Sequence, residues 1–450
     1  MELDALLLSR IQFAMTIGFH FIFPPLTIGL AWLIVALQTK YLRTGDELYN
    51  RISRFWIKLF AISFVMGVAS GVVMEFQFGT NWSEYSRFVG DIFGAPLAAE
   101  GIFAFFLESA FVGVLVWGAD RVSKRFYWFS SLMVALGSTF SAFWIIVANS
   151  WQQTPAGFHI VNGRAELTDF WAAVFNPSTI PRYLHTMDGA IITGAFFMLG
   201  ISALYLLRGK HREFAKYSLK LSLVVALAAS LLQGALGHYH AVQVAETQPA
   251  KLAAFEGLFE TQQGAPLIIF GIPDAEAGRT KMEIALPKML SFVAFGDFNA
   301  EVKGLNDFPR DEWPPLAMTF YPFHLMVALG LYFIALTCWG FWLLIRNKLY
   351  DNPLFLKLAF FSIPLPFITN ELGWIAAEVG RQPWVVYNLL RTADGVSITV
   401  PAYQILFSII MFALIYVVLF SVWIFLLRKK INLGPDMQGK GTGADKGVTV

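Results

Sequence analysis

Side chains that can ligate iron or carry protons stand inside the most apolar stretches of this chain. His20 lies in IGFHFIFPPLTIGL, Glu100 and Glu108 in PLAAEGIFAFFLESAF, and His185 in RYLHTMDGAI. His324 and Met326 lie in FYPFHLMVALG, and Glu371 and Glu378 in NELGWIAAEVGRQPW. A charge within such a stretch costs roughly 2.5–3.5 kcal/mol by insertion scales, so it is either paired or kept for chemistry. Two chemistries are open. Neutral imidazole suits a heme iron, and a histidine–methionine pair fills both axial positions of a heme and raises its potential. Glutamate is a hard anionic donor, and carboxylates stacked at graded depth can pass protons.

The spacing narrows these choices without closing them. Glu100 and Glu108 are eight apart, a little over two helical turns, so both project from one face. The plain alternative is two separately paired carboxylates. Ser138, Thr139 and Ser141 can extend a proton relay through hydroxyls, although membrane serines more often bond their own backbone. His324 and Met326 are two apart and face different directions, so at most one can ligate the same iron. Glu371 and Glu378 are seven apart, with Trp374 four before Glu378 on the same face. Arg381 and Arg10 are placed to hold carboxylates bidentately, or to serve as interfacial anchors. His20 has the alternative of a hydrogen bond to another helix, and Met326 that of ordinary packing among thirteen methionines.

The elements that must position these groups are membrane helices. The chain has 450 residues, 56% hydrophobic and 14% charged, with mean hydropathy +0.58. That balance implies an all-α integral membrane protein, a bundle of about nine transmembrane helices. The spans fall at about 11–37, 55–74, 93–117, 127–149, 185–207, 217–236, 316–345, 356–378 and 404–427. Pro24 and Pro25 should kink the first. Lys and Arg cluster after spans 1, 3, 5, 7 and 9, which puts the N-terminus outside and the C-terminus in the cytoplasm. The chain then divides into helices 1–6 over 1–236, an outward loop over 237–315, helices 7–9 over 316–430 and a tail over 431–450. The tail end, Gly439 to Val450, has no apolar pattern and reads as loose. The lone Cys338 excludes a disulfide framework and a zinc cluster. The start, MELDALLLSR, reads as mature protein, with no basic n-region. The net charge of +2 is uninformative, and nothing in the sequence suggests a nucleic-acid partner.

At these residues the chain resembles subunit I of the cytochrome bd-type quinol oxidases. The likeness runs through RIQF…GFHF, AAEG…FLES, STFSAFWI…NSW, RYLHT, KLAAFEGLFET, FHLM and GRQPW. It covers nearly the full length, and the motifs KLAAFEGLFET and GRQPW are the most specific. The resemblance implies three hemes: a low-spin heme b ligated by His185 and Met326, a high-spin heme b, and a heme d or a further heme b. His20 and Glu378 would each hold one of the high-spin irons. Arg10 and Arg381 match propionate-contacting positions, and Trp374 a tryptophan between hemes. Lys251 and Glu256 match quinol-binding positions. Glu100 and Glu108 match the proton path, and Lys58 and Asp120 its cytoplasmic start.

The function so implied is quinol oxidation at the outer face and reduction of O2 to water with cytoplasmic protons, generating a proton motive force without pumping. The partners implied are a second membrane subunit, a small single-span subunit, quinol, O2 and the lipid of the bacterial inner membrane. Two departures mark this chain. His324 stands where many relatives carry arginine, and the outer loop is short; both suggest the cyanide-insensitive branch. The competing readings are a bis-histidine cytochrome b anchor, for which the usual histidine pairs about thirteen residues apart are missing, and a proton-coupled transporter built on Glu100 and Glu108.

Overall fold

The computed structural model describes residues 4–436, so the tail from Gly439 to Val450 lies outside the described residues. The first span is a broken helix, α1 (Ala5–Phe21) and α2 (Phe23–Thr44), interrupted at Ile22. Pro24 and Pro25 open α2; two successive residues without an N–H cannot continue the ladder of α1 but suit a first turn. There follow α3 (Glu47–Thr80) and a third span made of α4 (Ser83–Ala99), a π-helical turn (Glu100–Phe105) and α5 (Phe106–Trp117). After α6 (Lys124–Gln153) come the hairpin β1 (Phe158–Val161) and β2 (Arg164–Leu167) and the short α7 (Phe170–Val174). Next are α8 (Thr179–Leu207) and α9 (Arg212–Thr247).

The long loop opens with α10 (Pro249–Glu256). It then pairs β3 (Gln262–Gln263) with β6 (Glu301–Val302) around the antiparallel hairpin β4 (Leu267–Asp274) and β5 (Arg279–Leu286) and α11 (Met289–Phe295). The chain returns through α12 (Leu316–Ile345), α13 (Pro353–Phe361) and α14 (Leu365–Val379). The hairpin β7 (Trp384–Val386) and β8 (Leu390–Arg391) precedes the final α15 (Ala402–Leu433).

Among the described residues eight helical segments are long and apolar enough to cross a membrane, and the bent pair α13–α14 makes up to nine. Three boundaries differ from those read in the sequence. The span expected at 356–378 is bent by 40° between α13 and α14, where Pro364 and Pro366 remove backbone donors. The sixth span does not stop at 236: α9 continues to Thr247, because His238, Tyr239 and His240 lower hydropathy without breaking a helix. The loop placed at 237–315 therefore begins with a helical extension. Likewise α3 starts at Glu47, where the Asp46 side chain accepts from the Leu48 N–H. Hydropathy marks the bilayer core, while helix ends are set by such caps.

The core is centred on α2 and α8. A Cβ on Gly29 would fall 2.3 Å from the Ala190 carbonyl oxygen, and one on Gly194 2.4 Å from Gly29. Only glycines allow these two backbones to touch, a common device where lipid offers no hydrophobic drive between helices. Around the crossing pack the fully buried Phe23, Leu26, Phe60, Phe196 and Phe214. This rigid centre includes α8 and packs against α1 and α14, which with α12 carry the candidate ligands.

Candidate functional site

Most polar residues of the site gather where α6, α8, α10 and α14 end beside the long loop. Glu378 lies in the last turn of α14, and its Oε2 is 2.6 Å from Nη2 of Arg381. Its Oε1 accepts from Gln153 (3.1 Å), Asn149 (3.3 Å) and Arg182 (3.3 Å). Arg381 also donates to the Gln152 Oε1 (3.1 Å) and the Trp384 carbonyl (3.2 Å). Arg182 donates to the Asn149 Oδ1, and the Gln152 amide to the Tyr85 hydroxyl. Both guanidiniums are nearly inaccessible, so each anion–cation contact is made away from water. The cluster sets one carboxylate against two guanidiniums, so it carries an excess of positive charge that a further anion would match. Arg10 makes no hydrogen bond or ion pair with it and is exposed on α1.

Lys251 joins this cluster from the loop. The residue lies on α10 with Nζ 2.5 Å from the Gln153 Oε1, so one glutamine side chain bridges Lys251 and Glu378. The Gln248 side chain donates to the Gln153 carbonyl (2.9 Å), tying the start of α10 to the end of α6. Burial, with the Arg182 cation nearby, pushes the Lys251 ammonium well below its usual range. Burial alone pushes the Glu256 carboxyl up to about 8. Its Oε2 is buried without a partner. The two residues thus sit with chemistry to spare: a lysine poised to donate, and an acid that is mostly protonated near neutrality.

Glu100 and Glu108 do share a face, for a reason the sequence reading missed. In an ideal α-helix eight residues leave an angular offset of about 80°. The π-helical turn over Glu100–Phe105 holds more residues per turn and takes up most of that offset. Both carboxylates consequently meet α6: Ser141 Oγ donates to Glu100 (2.6 Å), and Ser138 Oγ to Glu108. A Cβ on Gly137 would fall 2.9 Å from the Glu108 Cβ, so a glycine brings the helices close enough for that contact. Thr139 accepts instead from the Trp32 indole. A third intramembrane carboxylate, Glu75 of α3, interacts electrostatically with Glu100 and was not singled out in the sequence. Asp120 makes a two-pronged ion pair with Arg54, one turn from Lys58 on α3.

The remaining candidates are imidazoles and a thioether beside glycines, and the His185 ring lies 5.6 Å from that of His240. His20 Nδ1 lies 3.0 Å from Ser70 Oγ, whose hydroxyl already donates to the Met66 carbonyl (2.8 Å). The imidazole must then donate from Nδ1, which leaves the Nε2 lone pair available. His185 Nδ1 is buried without a partner, and its Nε2 is 3.4 Å from the Gln233 amide nitrogen. A Cβ on Gly237 would lie 3.6 Å from His185, one on Gly71 3.1 Å from His20, and one on Gly373 2.9 Å from the Met326 sulfur. Asn370 of α14 lies 3.0 Å from a Cβ built on Gly189, one turn beyond His185. So α14 touches both α12 at Met326 and α8 at Gly189. Trp374 packs on Phe21, with ring centroids 5.7 Å apart, next to His20.

The chain matches the family model described as cytochrome bd terminal oxidase subunit I over residues 8–435. It belongs to that family. It is 42% identical over 444 residues to the cytochrome bd ubiquinol oxidase subunit 1 of Bacillus subtilis, covering 96% of this chain and 95% of that one. It is 35% identical over 501 residues to the cytochrome bd-II ubiquinol oxidase subunit 1 of Escherichia coli, covering 96% and 97%. Among solved structures it is similar to the bd oxidase of Geobacillus thermodenitrificans, with TM-score 0.90, 32% identity, and coverage of 96% of this chain and 99% of that one. The chain is thus a multi-pass subunit of a bacterial inner-membrane terminal oxidase, in a family that carries heme and works with a second subunit.

The residues present fit heme. An imidazole whose other nitrogen is already engaged, as in His20, is oriented to ligate. Unpartnered buried polar atoms at His185 and Gln233 fit a site that a further group completes, and Gly71, Gly237 and Gly373 give His20, His185 and Met326 room that a Cβ would crowd. Sequence reasoning missed Arg182, Asn149, Gln152 and Gln153. Arg182 stands in RYLHT and the other three in NSWQQ; a guanidinium beside an apolar span was the available signal. Glu371, whose Oε1 is buried without a partner, was noticed but given no role.

Proposed function

We propose that this chain is the electron-carrying subunit of a quinol:O2 oxidoreductase. In this reading quinol is oxidised at the outer face, and O2 is reduced to water with protons drawn from the cytoplasm. Quinol docks against α10, where Lys251 holds one quinol oxygen and Glu256 takes a proton. His185 and Met326 hold a low-spin heme b, and His20 and Glu378 each hold a high-spin iron, of heme b and of heme d or a further heme b. Bound heme supplies one-electron transfer and, where a protein ligand occupies only one face, an iron open to O2. Arg182 and Arg381 exceed the charge of Glu378 by one and would hold ring carboxylates, and Trp374, packed on Phe21, would stand between rings. Arg10, exposed on α1, is a propionate contact in the same sense.

Glu108 and Glu100 carry protons toward the oxygen site, each exchanging with a serine of α6. Because quinol protons leave on one side and consumed protons arrive from the other, charge separates without a pump. A second membrane subunit and a small single-span subunit complete the enzyme. The observation that carries this reading is the Gln153 bridge, which joins the quinol-loop lysine to the Glu378 cluster in two hydrogen bonds. The test is quinol-driven oxygen uptake by the purified complex, with a reduced-minus-oxidised spectrum. Uptake with b-type bands, and a red band if heme d is present, is expected. Colourless, correctly assembled material would end the proposal.

A further inference from the structure

We infer that the β4–β5 hairpin of the long loop is seated in the lipid surface, with its apolar residues among the acyl chains beside α12. The first observation is strand β5 itself. Arg279, Lys281 and Glu283 are interspersed with Met282, Ile284 and Leu286, and all six are exposed; a register shift at Met282, whose φ is +49°, breaks the simple alternation of faces. Met282 is 75% exposed, Ile284 62%, and its registered partner Phe270 52%. A hairpin normally hides an apolar set of this size against protein. Here that set is uncovered, and contiguous apolar surface of this kind marks an interaction site.

The second observation is depth. His324 places Nε2 2.8 Å from the carbonyl oxygen of Ile268 on β4, so that strand lies against α12 at the level of His324. α12 has 30 residues, about 45 Å at 1.5 Å each, against a hydrocarbon core of about 30 Å. Trp339, Trp342 and Arg346 mark its far end as the opposite interface. About twenty residues back from Trp342, the near boundary of the core falls within a turn of His324. The hairpin is therefore level with the membrane surface and not above it. On the same helix Met318, Tyr321 and Leu325 form an exposed stripe at i, i+3 and i+7 that continues into the lipid-facing span. A two-stranded hairpin has unpaired edges, which the hydrocarbon centre would not tolerate. The interfacial level, where apolar side chains reach the acyl chains and long charged ones extend to the headgroups, satisfies both demands.

The Thr280 hydroxyl donates to the Gly257 carbonyl (2.7 Å), so the seated hairpin also holds the end of α10, next to Glu256, at the lipid boundary. The inference about lipid does not depend on quinol binding there. It is tested on the complete oxidase in phospholipid nanodiscs, with Cys338 replaced by serine and a spin label on Met282→Cys or Glu283→Cys. Collision with O2, which partitions into lipid, is compared with collision with a water-soluble nickel chelate. The expected result is a label at 282 favoured by O2, with nickel accessibility at least fivefold below that at 283. Equal nickel accessibility at both positions would place the hairpin in water and overturn the inference. Shielding of 282 from both reagents would assign the face to a protein partner and overturn it equally. Loss of quinol-dependent oxygen uptake with these label results intact would strike the proposed function alone.

Discussion

Two sets of buried carboxylates divide the molecule. At the loop end Glu378 is enclosed by Arg182, Arg381, Asn149 and Gln153, with ion pairs at 2.6 and 3.3 Å. In the third span, Glu100 and Glu108 meet one serine hydroxyl each, and among the described residues neither forms an ion pair. The difference is one of permitted change. A carboxylate gripped by two guanidiniums cannot alter its charge without stranding buried cations. A carboxylate opposite a single hydroxyl, which can donate or accept, gains and loses a proton with only a hydroxyl rotation. The first arrangement suits a fixed anionic ligand, the second a relay.

Removing the gripped anion should have the largest effect. Glu378→Ala leaves Arg182 and Arg381 buried beside each other, and breaking such a pairing typically costs about 3–5 kcal/mol. The expected outcome is loss of one heme per subunit, measured as pyridine hemochromogen against protein, with oxygen uptake reduced at least a hundredfold. Retention of full heme with only a mild kinetic defect would erase the contrast between the two carboxylate sets.

Glu108→Gln tests the other side. Glutamine keeps the shape and can still accept from Ser138, but it cannot pass a proton. Oxygen uptake should fall by about 10²-fold, as for loss of a positioned proton carrier, while heme content and the reduced spectrum stay unchanged. A fall in heme would make Glu108 a structural group like Glu378.

The contrast was only half legible in the sequence. Apolar runs revealed the spans, because a bilayer demands about twenty such residues whatever their neighbours. The Pro24–Pro25 kink was legible for the same local reason. The shared face of Glu100 and Glu108 was expected from α-helical counting, yet it depends on a π-helical turn that no residue type announces. Arg182 and Gln153 were invisible as partners of Glu378, since the three come from α8, α6 and α14 and meet only when those helices pack. His324 was noticed as an oddity. Its hydrogen-bonding distance to Ile268 crosses from a span to a hairpin that apolar counting would have left as loop.

The loop supplies a pH test. Burial raises Glu256 to about 8, so near neutrality most of it is already protonated and unable to receive a quinol proton. As the pH climbs toward 8 and past it the carboxylate form grows, and turnover at saturating quinol should rise along that limb. Glu256→Gln removes the limb and lowers turnover by roughly thirtyfold, less than the usual 10²–10⁴ for a general base because most of the carboxyl is already protonated near neutrality. A mutant whose rate still rises through pH 8 would show that another group accepts the proton.

The smallest effect sharpens the comparison most, because it concerns the one residue shared by fixed anion and quinol loop. Gln153→Met keeps the volume and the backbone carbonyl that accepts from Gln248. It removes both the contact with Lys251 and that with Glu378. Glu378 retains Arg182, Arg381 and Asn149, so heme should remain. Lys251 loses its partner and with it the fixed position of its ammonium; one such hydrogen bond is worth about 1–1.5 kcal/mol net. The Michaelis constant for quinol should therefore rise by about tenfold with little change in the limiting rate. A variant that instead bleaches one heme band would mean that Gln153 belongs to the ligand cage, and that Lys251 is held by something else.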